Sequence, residues 1–444
     1  MVTYQDLEKQ NDDQIIAFVR ETINKHKSSK EYKDADIAEQ YYERKNKTIL
    51  DFVKFLYNQV GEAVPDIYSA NYKLCSNFFN RFITQENQYL LSNGVQWQNK
   101  DTAEKLGNDF DTQLQDAGEK ALVQAVSFGF FNVDHIEVFS FLEFAPLYDE
   151  ETGALKAGIR FWQIDSSKPL RATLYELDGY TDYIWRQGEE GQILNPKRSY
   201  KLNLKGTDVD GMEIVNGENY ATFPIVPFYC DKTKQSRFVG MRENIDCYDL
   251  IKSGFANDVD DASTIYWILQ NAGGMDDVDL AEFVKRVKTT HAVAVDSGVT
   301  AESKTQDAPY ASRETLLSRL RSDMYEDNMA LDVREIAAGA TTATQIRAAY
   351  EPLNSKVDKY EYQVINFING ILELAGIDDK PTFTRSAIIN TSEEVGLLLQ
   401  SAQFLEPTYV TEKLLNYFGD GDRAEDMIKQ MLADSIQRLE GEEE

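Results

Sequence analysis

The chain has 444 residues, too many for one ordinary hydrophobic core, so two to four sub-structures are expected. Its 42% hydrophobic and 27% charged residues are normal for a folded soluble protein, but 75 acidic against 46 basic residues give a formal net charge of -29. So acidic a surface repels phosphate groups and argues against tight nucleic-acid binding, although not against a surface past which DNA slides.

The cysteines and the N-terminus concern the compartment in which the chain works. Cys75, Cys230 and Cys247 are widely spaced and form no CxxC pair, which indicates free thiols in a reducing compartment. The opening sequence MVTYQDLEKQ is polar and acidic, so no signal peptide is expected. No run reaches the roughly 18 to 20 apolar residues of a membrane span. The sequence therefore predicts a soluble protein made inside a cell.

The N-terminal part is expected to be helical. Residues 1–60 carry an apolar face preceded by a capping Asn11, followed by a charged stretch and a second apolar run. Another helix is predicted at 68–84. A third is predicted at 102–127 and ends near Gly129, since glycine can terminate a helix.

The character changes between Phe130 and Phe228, where short β-branched and aromatic runs alternate with turn signals. These signals are ETG at 151–153, LDG at 177–179 and VNG at 215–217. Short alternating runs at regular spacing are typical of antiparallel hairpins. This part is predicted to be a hairpin-rich β segment.

The helical pattern then returns, and the rest of the chain shows no repeats. A long helix is predicted at 243–270, before Gly273-Gly274, and a mixed insert with a strand at His291–Val295 follows at 275–308. Next come a helix at 311–328, a segment at 329–341 and a long helix at 342–374, in which Pro352 is a possible kink site. Helices at 391–404 and 408–440 and an acidic tail complete the predicted elements.

No catalytic motif of the usual kinds occurs. His26, His135 and His291 lie in no metal-ligand spacing; His26 is expected at the surface and the other two in strands, so a structural role is favoured for each. No GxGxxG loop, GxxxxGK[ST] loop or GxSxG elbow is present. A nucleotide-binding site and a serine hydrolase site of these kinds are therefore not predicted.

Carboxylates are the one abundant reactive group. Asp258, Asp260 and Asp261 cluster on the predicted long helix, and a second cluster, DDVD at 276–279, follows Gly273-Gly274. Such clusters fit a metal site or a glycosidase-type acid/base pair. The second cluster lacks the glycine and final glutamate of an EF-hand loop, and with 75 acids in the chain clusters arise by chance. A solvated helix face or turn is the favoured reading.

Several segments, taken in order, resemble a known family. The most similar segment is Glu243–Gln270, which is similar to the family pattern "L-I-D-x-Y-N-x-x-x-S-x-x-x-N-x-x-E". Within this pattern, Cys247 to Ile251 stand near the aromatic position, and Asn257, Asp258 and Asp260 stand in the polar part. The other segments are Ala38–Tyr42 with Thr48–Leu50, Asn71–Gly94, Ala125–Phe131, Phe223–Phe228 and Phe383–Glu394. Glu406–Thr411 departs from the family's "I-S-x-E-T". In this order the segments resemble the portal proteins of tailed bacteriophages, in the branch typical of phages of Gram-positive hosts.

The resemblance implies an α+β, mainly helical portal-type fold with a long-helix stem, a β-rich wing, a small clip and a helical crown. Its implied parts are the wing at 1–242, the first stem helix at 243–274, the clip at 275–310, the second stem helix at 311–328, the tunnel loop at 329–341, a long helix and return strand at 342–390, and crown helices with an acidic tail at 391–444. The tunnel-loop residues that would face DNA are Asp332, Arg334, Glu335, Ala337, Ala338, Gly339 and Ala340.

The resemblance also implies a function and partners. The subunit would belong to a homo-oligomeric, dodecameric ring at one vertex of the virion capsid, assembled in the host cytoplasm. Double-stranded DNA would pass through the ring during packaging and ejection. Terminase, a head-completion or adaptor protein, the major capsid protein and scaffolding protein would be partners, without an enzyme activity, a cofactor, a metal or a membrane.

Two other functions are compatible with the residues. The chain could be another helical scaffold of a virion or a cell, which would form no ring. It could also be a carboxylate-based hydrolase, which requires two carboxyl groups roughly 5 to 9.5 Å apart and one raised pKa.

Overall fold

The computed structural model describes residues 2–57, 61–66, 70–99, 101–207, 213–262, 266–270, 300–304, 310–334, 343–386, 391–418, 424 and 427–431. In these residues the α-helices are α1 (Tyr4–Glu8), α2 (Asp12–Ser28), α3 (Lys30–Tyr42), α4 (Lys47–Leu50), α5 (Phe78–Leu91), α6 (Asp101–Leu106), α7 (Phe110–Gln124), α8 (Arg242–Ala262), α9 (Tyr310–Asp327), α10 (Ala343–Ala375), α11 (Thr391–Ser401) and α12 (Pro407–Phe418).

The strands are mostly short and lie in the middle of the chain. They are β1 (Phe55–Tyr57), β2 (Ala63–Pro65), β3 (Val95–Gln96), β4 (Val126–Asn132), β5 (His135–Ser140), β6 (Phe144–Tyr148), β7 (Leu155–Trp162), β8 (Leu170–Glu176), β9 (Gly179–Trp185), β10 (Gln192–Arg198), β11 (Lys201–Thr207), β12 (Glu213–Glu218), β13 (Ile225–Tyr229), β14 (Tyr266–Gln270), β15 (Thr300–Lys304) and β16 (Thr382–Phe383).

The larger core lies between the long helix α10, helices α3, α5 and α7, and a three-stranded antiparallel sheet ordered β13-β4-β5. Val357, Tyr360, Val364 and Phe367 recur every three or four residues along α10, so they share one face of the helix, and all are buried. The Phe367 ring stacks on Phe228 of β13 with ring centroids 4.8 Å apart. This apolar face fixes α10 against the sheet.

A second core lies under a five-stranded antiparallel sheet ordered β10-β9-β8-β7-β6, in which neighbouring strands follow each other along the chain. Helix α2 covers it with Val19 and Ile23, which are one helical turn apart and fully buried. They pack with Ile159 of β7 and Leu174 of β8. The hairpin-rich β segment predicted from alternation is therefore present and supplies both sheets.

His26 does not lie free at the surface as predicted. Its Nε2 is 2.8 Å from the Phe141 carbonyl oxygen, and its ring packs edge-on against Phe141 with centroids 4.7 Å apart. Burial lowers the pKa of His26 below its ordinary value. The neutral side chain thus joins α2 to the loop between β5 and β6.

A buried ion cluster joins three elements of the larger core. Glu86 of α5 is fully buried, and its Oε1 lies 2.9 Å from Nη2 of Arg237 and its Oε2 2.7 Å from Nζ of Lys356 on α10. A second carboxylate, that of Asp231, lies 3.0 Å from Nη1 of Arg237. Glu86 therefore holds α5, α10 and the segment after β13 together.

Two N-terminal predictions are wrong in part: the predicted helical region 1–60 contains helices α1 to α4 but does not stay helical to its end. Residues 55–57, expected within the helical region 1–60, form strand β1. The helix predicted at 68–84 begins only at Phe78, and the described residues before it, 70–77, lie in no helix or strand. Tyr72 and Leu74 alternate with polar residues, and a period of two belongs to extended chain and not to helix.

The predicted helix at 102–127 is two helices, α6 and α7, and it stops at Gln124. Ala125 has a φ of +75°, a left-handed conformation that ends a helix, and β4 starts at the next residue. Ser127 to Phe130, which include the expected helix end near Gly129, are strand residues paired with β5.

The first predicted stem helix, 243–274, is also too long. Helix α8 ends at Ala262, and Tyr266–Gln270 forms strand β14, which pairs with β15 in antiparallel register. The run Tyr266-Trp267-Ile268 is a short apolar stretch of β-forming residues, for which helical and strand patterns cannot be told apart by periodicity alone. The helix predicted at 311–328 is present as α9, and the one at 342–374 as α10, which contains Pro352.

Candidate functional site

Helices α8 and α9, which lie where the two stem helices were predicted, form an antiparallel pair. Asn244, at the start of α8, lies 3.5 Å from the carboxylate of Asp327, at the end of α9. At the other end of the pair, Arg313 of α9 lies 2.5 Å from Asp258 of α8. The two helices therefore run side by side over most of their length and connect to the strands β14 and β15.

A ladder of polar side chains anchors this pair to the N-terminal part of the chain. Asp249, Ser253 and Asn257 lie on one face of α8, four residues apart, and all three are buried. Their oxygen atoms accept hydrogen bonds from backbone N–H groups of the extended segment before α5. The pairs are Ser76 to Asp249 at 2.8 Å, Leu74 to Ser253 at 3.0 Å and Tyr72 to Asn257 at 2.6 Å.

The ladder works because two backbone repeats match. Four residues of an α-helix rise about 6 Å. Two residues of extended chain advance about 6.6 Å and bring the next N–H group to the same side. Polar residues at every fourth position of α8 therefore meet every second N–H group of the segment. From the sequence, Asn257 was singled out only as part of the family resemblance, with Asp249 inside the segment Cys247 to Ile251, and no contact was predicted for either or for Ser253; their four-residue spacing was the available signal.

Asp249 has a second partner and is the most constrained member of this ladder. The Nδ2 group of Asn46 donates to its Oδ2 at 3.0 Å, and Asn46 also caps α4 through Oδ1. Burial raises the pKa of Asp249, while the hydrogen bonds from Asn46 and Ser76 act in the opposite direction. The carboxyl group thus ties α8 to α4 and to the extended segment at once.

We expect Asp249→Ala to lower the free energy of unfolding by about 3 kcal/mol, because it leaves two buried donors without an acceptor, each at about 1–3 kcal/mol. Urea unfolding followed by circular dichroism measures the change. As a control, Glu314→Ala removes an exposed acid from α9 and should change stability by less than about 0.5 kcal/mol. Equal effects of the two substitutions would contradict the role of the ladder.

The described part of the predicted tunnel loop is held against the body. Asp332 pairs with Arg321 of α9, and its Oδ1 accepts from the backbone N–H of Arg334 at 3.1 Å. Leu331 is buried, and its N–H and carbonyl groups bond to the side chain of Gln85 at 2.9 and 3.0 Å. Arg334 is exposed, whereas Asp332 is engaged within the subunit. A DNA-facing role for these two residues stays a prediction.

Other predicted features lie outside the described residues. They are Glu335, Ala337, Ala338, Gly339 and Ala340 of the tunnel loop, the acidic cluster at 276–279, the strand at His291–Val295 and most of the predicted clip at 275–310.

The described part of the chain offers no support for the alternative function, a carboxylate-based hydrolase. Asp258 is already paired with Arg313, and His135 is exposed beside Asp134. No group of three or more His, Cys, Asp or Glu side chains there could hold a metal ion. None of the helices in the described ranges has the length and apolar character needed to cross a bilayer.

Comparison with known proteins gives concordant matches. The family model "Phage portal protein, SPP1 Gp6-like" matches residues 21–438. The portal protein of Clostridium phage phiCD119 is 23% identical over 429 residues, covering 87% of this chain and 90% of that protein. That relative comes from a phage of a Gram-positive host, the branch that the sequence predicted.

Among solved structures, matches come from gene transfer agent particles. A chain from the neck of the native particle, computed with C12 symmetry, has a TM-score of 0.44 and 10% identity, covering 75% of this chain and 88% of that chain. A chain from the virion of the native particle has a TM-score of 0.45 and 11% identity, with coverage of 76% and 89%.

The family decides between the functions left open by the sequence. Portal proteins are structural components of the phage particle and not enzymes, so the hydrolase reading is dropped. The family model also covers the helix pair, both sheets and the long helix. This chain therefore belongs to the SPP1 Gp6-like family of phage portal proteins.

Proposed function

We propose that this chain is one subunit of a dodecameric ring at a single capsid vertex, through which double-stranded DNA is packaged and later ejected. The observation that carries the proposal is the family match over residues 21–438. Terminase would dock on the ring during packaging, and a head-completion or adaptor protein would replace it. Major capsid and scaffolding proteins would surround it during assembly in the host cytoplasm.

In this proposal the antiparallel pair α8 and α9 is the stem that lines the channel. The β14–β15 pair leads from the stem into the clip, which would meet terminase and then the adaptor. The N-terminal helices and the two sheets form the wing that faces the capsid. Helices α11 and α12 belong to the crown. The buried ladder on α8 supports this assignment, because it fixes the stem rigidly to the wing.

The net negative charge of the chain suits a channel through which DNA passes without being tightly bound. A protein that neutralises many phosphates binds DNA through counterion release, which would brake a moving duplex. At -29 per chain, twelve copies would carry roughly 350 negative charges before screening. In the described part of the tunnel loop, Arg321 is paired with Asp332, so Arg334 is the basic side chain that stays exposed there. The duplex would therefore meet a surface with few strong phosphate contacts.

Counting copies per head tests the proposal. The chain is produced together with the capsid and scaffolding proteins of its own phage, and purified procapsids are analysed by quantitative mass spectrometry. We expect about twelve copies per procapsid, all at one vertex in electron micrographs. Procapsids without the chain, or with a copy number that rises in proportion to the capsid protein, would contradict the vertex assignment.

A further inference from the structure

A cleft of about 400 Å³ opens beside the stem pair. It lies between the segment that contains α4 and its continuation at 52–54, the extended segment 71–73, and the two stem helices α8 and α9. The cleft thus sits where the wing meets the stem. It shares Tyr72, Ser253 and Asn257 with the ladder of hydrogen bonds, and its other lining residues take no part in that ladder.

The walls of the cleft are apolar and exposed. Phe52 is 46% exposed, Tyr72 51%, Leu250 49% and Leu316 45%. Isolated apolar residues at a surface are ordinary, but large ones gathered around one concave site mark an interaction surface. The cleft is therefore shaped for contact with another apolar surface.

The charged residues that line the cleft are basic, whereas the chain as a whole is strongly acidic. Lys54, Lys73 and Arg313 line it, and no Asp or Glu belongs to its described lining. The ammonium groups of Lys54 and Lys73 donate to the backbone carbonyl oxygens of Ala70 and Leu50, so neither of these contacts neutralises the charge. On a protein of net charge -29, this is a locally basic site.

Only one of the two terminal nitrogens of Arg313 has an acceptor among the described residues. Its Nη2 lies 2.5 Å from the carboxylate of Asp258. Its Nη1 is buried and has no acceptor among the described residues; it lies 3.8 Å from the position that a Cβ on Gly254, another lining residue, would occupy. A buried guanidinium N–H without an acceptor is unfavourable, and a carboxylate is the partner whose geometry suits it best.

We propose that this basic, apolar cleft receives an acidic side chain, with apolar neighbours, from a second copy of this chain. The inference rests on the proposed ring and identifies one of its subunit contacts. Copies that each carry -29 repel one another, so a locally positive surface favours a contact between them. The cleft provides that surface, and a neighbouring copy offers acidic residues in abundance.

The test compares assembly of full-length variants by mass photometry over a range of protein concentrations. Lys73→Glu reverses a charge at the rim, and Arg313→Gln removes the guanidinium with its unsatisfied N–H. Lys156→Glu, at an exposed position of β7 outside the cleft, is the matched control. Far-ultraviolet circular dichroism confirms that each variant folds. We expect the concentration at half-assembly to rise at least tenfold for the two cleft variants and to stay within twofold for the control.

The possible outcomes separate this inference from the ring itself. If the wild-type chain forms rings and the two cleft variants assemble at the same concentration as Lys156→Glu, the inference is wrong and the ring stands. If wild-type chains form no ring, both this inference and the proposed ring are wrong. If the cleft variants still form rings but lose binding to a capsid or scaffolding protein, the cleft is occupied by that protein and not by a second copy.

Discussion

Glu86→Ala is expected to lower the free energy of unfolding by about 3–5 kcal/mol, the cost of removing one partner from a buried ion pair. Glu86 is fully buried and is the carboxylate shared by Arg237 and Lys356. Without it, Lys356 loses its ion-pair partner and Arg237 keeps only Asp231. Urea unfolding at a fixed protein concentration, followed by circular dichroism, measures the loss.

Asp231→Ala is the matched control for this cluster. It removes a carboxylate that also contacts Arg237, but Asp231 is partly exposed and Arg237 keeps Glu86. Its cost should stay near 1 kcal/mol, as for an exposed ion pair. The assignment of Glu86 as the centre of the cluster fails if both variants unfold at the same urea concentration.

Gly118→Ala is expected to destabilise the protein by about 2 kcal/mol, although alanine is the better helix former. A Cβ at this position of α7 would lie 2.1 Å from Oη of Tyr360 and 2.6 Å from Oδ1 of Asn87. These two atoms share a buried hydrogen bond of 2.8 Å. The methyl group must displace a fully buried tyrosine ring on α10 or break that bond, and thermal unfolding measures the change.

Two further variants separate this clash from the general effect of glycine in a helix. Gly396→Ala in α11 meets nothing within 4 Å, so it should stabilise the chain by up to about 1 kcal/mol. Tyr360→Phe removes the nearer of the two clashing atoms, and combined with Gly118→Ala it should recover about 1 kcal/mol of the loss in a double-mutant cycle. If the two substitutions are additive, the close approach of α7 to α10 is not the cause.

The long, strongly periodic segments could be predicted from the sequence. The apolar face of α10 and the alternation between Phe130 and Phe228 each extend over many residues, so the pattern outweighs local ambiguity. Short apolar runs could not be assigned. Tyr266–Gln270 and Phe55–Tyr57 are strands in the structure because a partner strand is available, and that partner lies elsewhere in the chain.

The polar contacts of the site were harder to foresee. Asp249 is separated by more than 170 residues from Ser76, and only the fold brings them together. Glu86 would be expected at the surface, since glutamate is almost never fully buried unless it is paired. Asp332 was chosen for its place in the chain, and its ion pair with Arg321 depends on how α9 ends. The family, by contrast, was predicted correctly from the order of short segments.

Electron microscopy of the purified full-length chain tests the central claim most directly. End-on views should show closed rings of about twelve subunits around an open channel wide enough for a DNA duplex, with a mass near twelve times that of the 50.6 kDa chain. Only single chains of 50.6 kDa, or compact oligomers without a central channel under every condition of salt and concentration, would contradict the account.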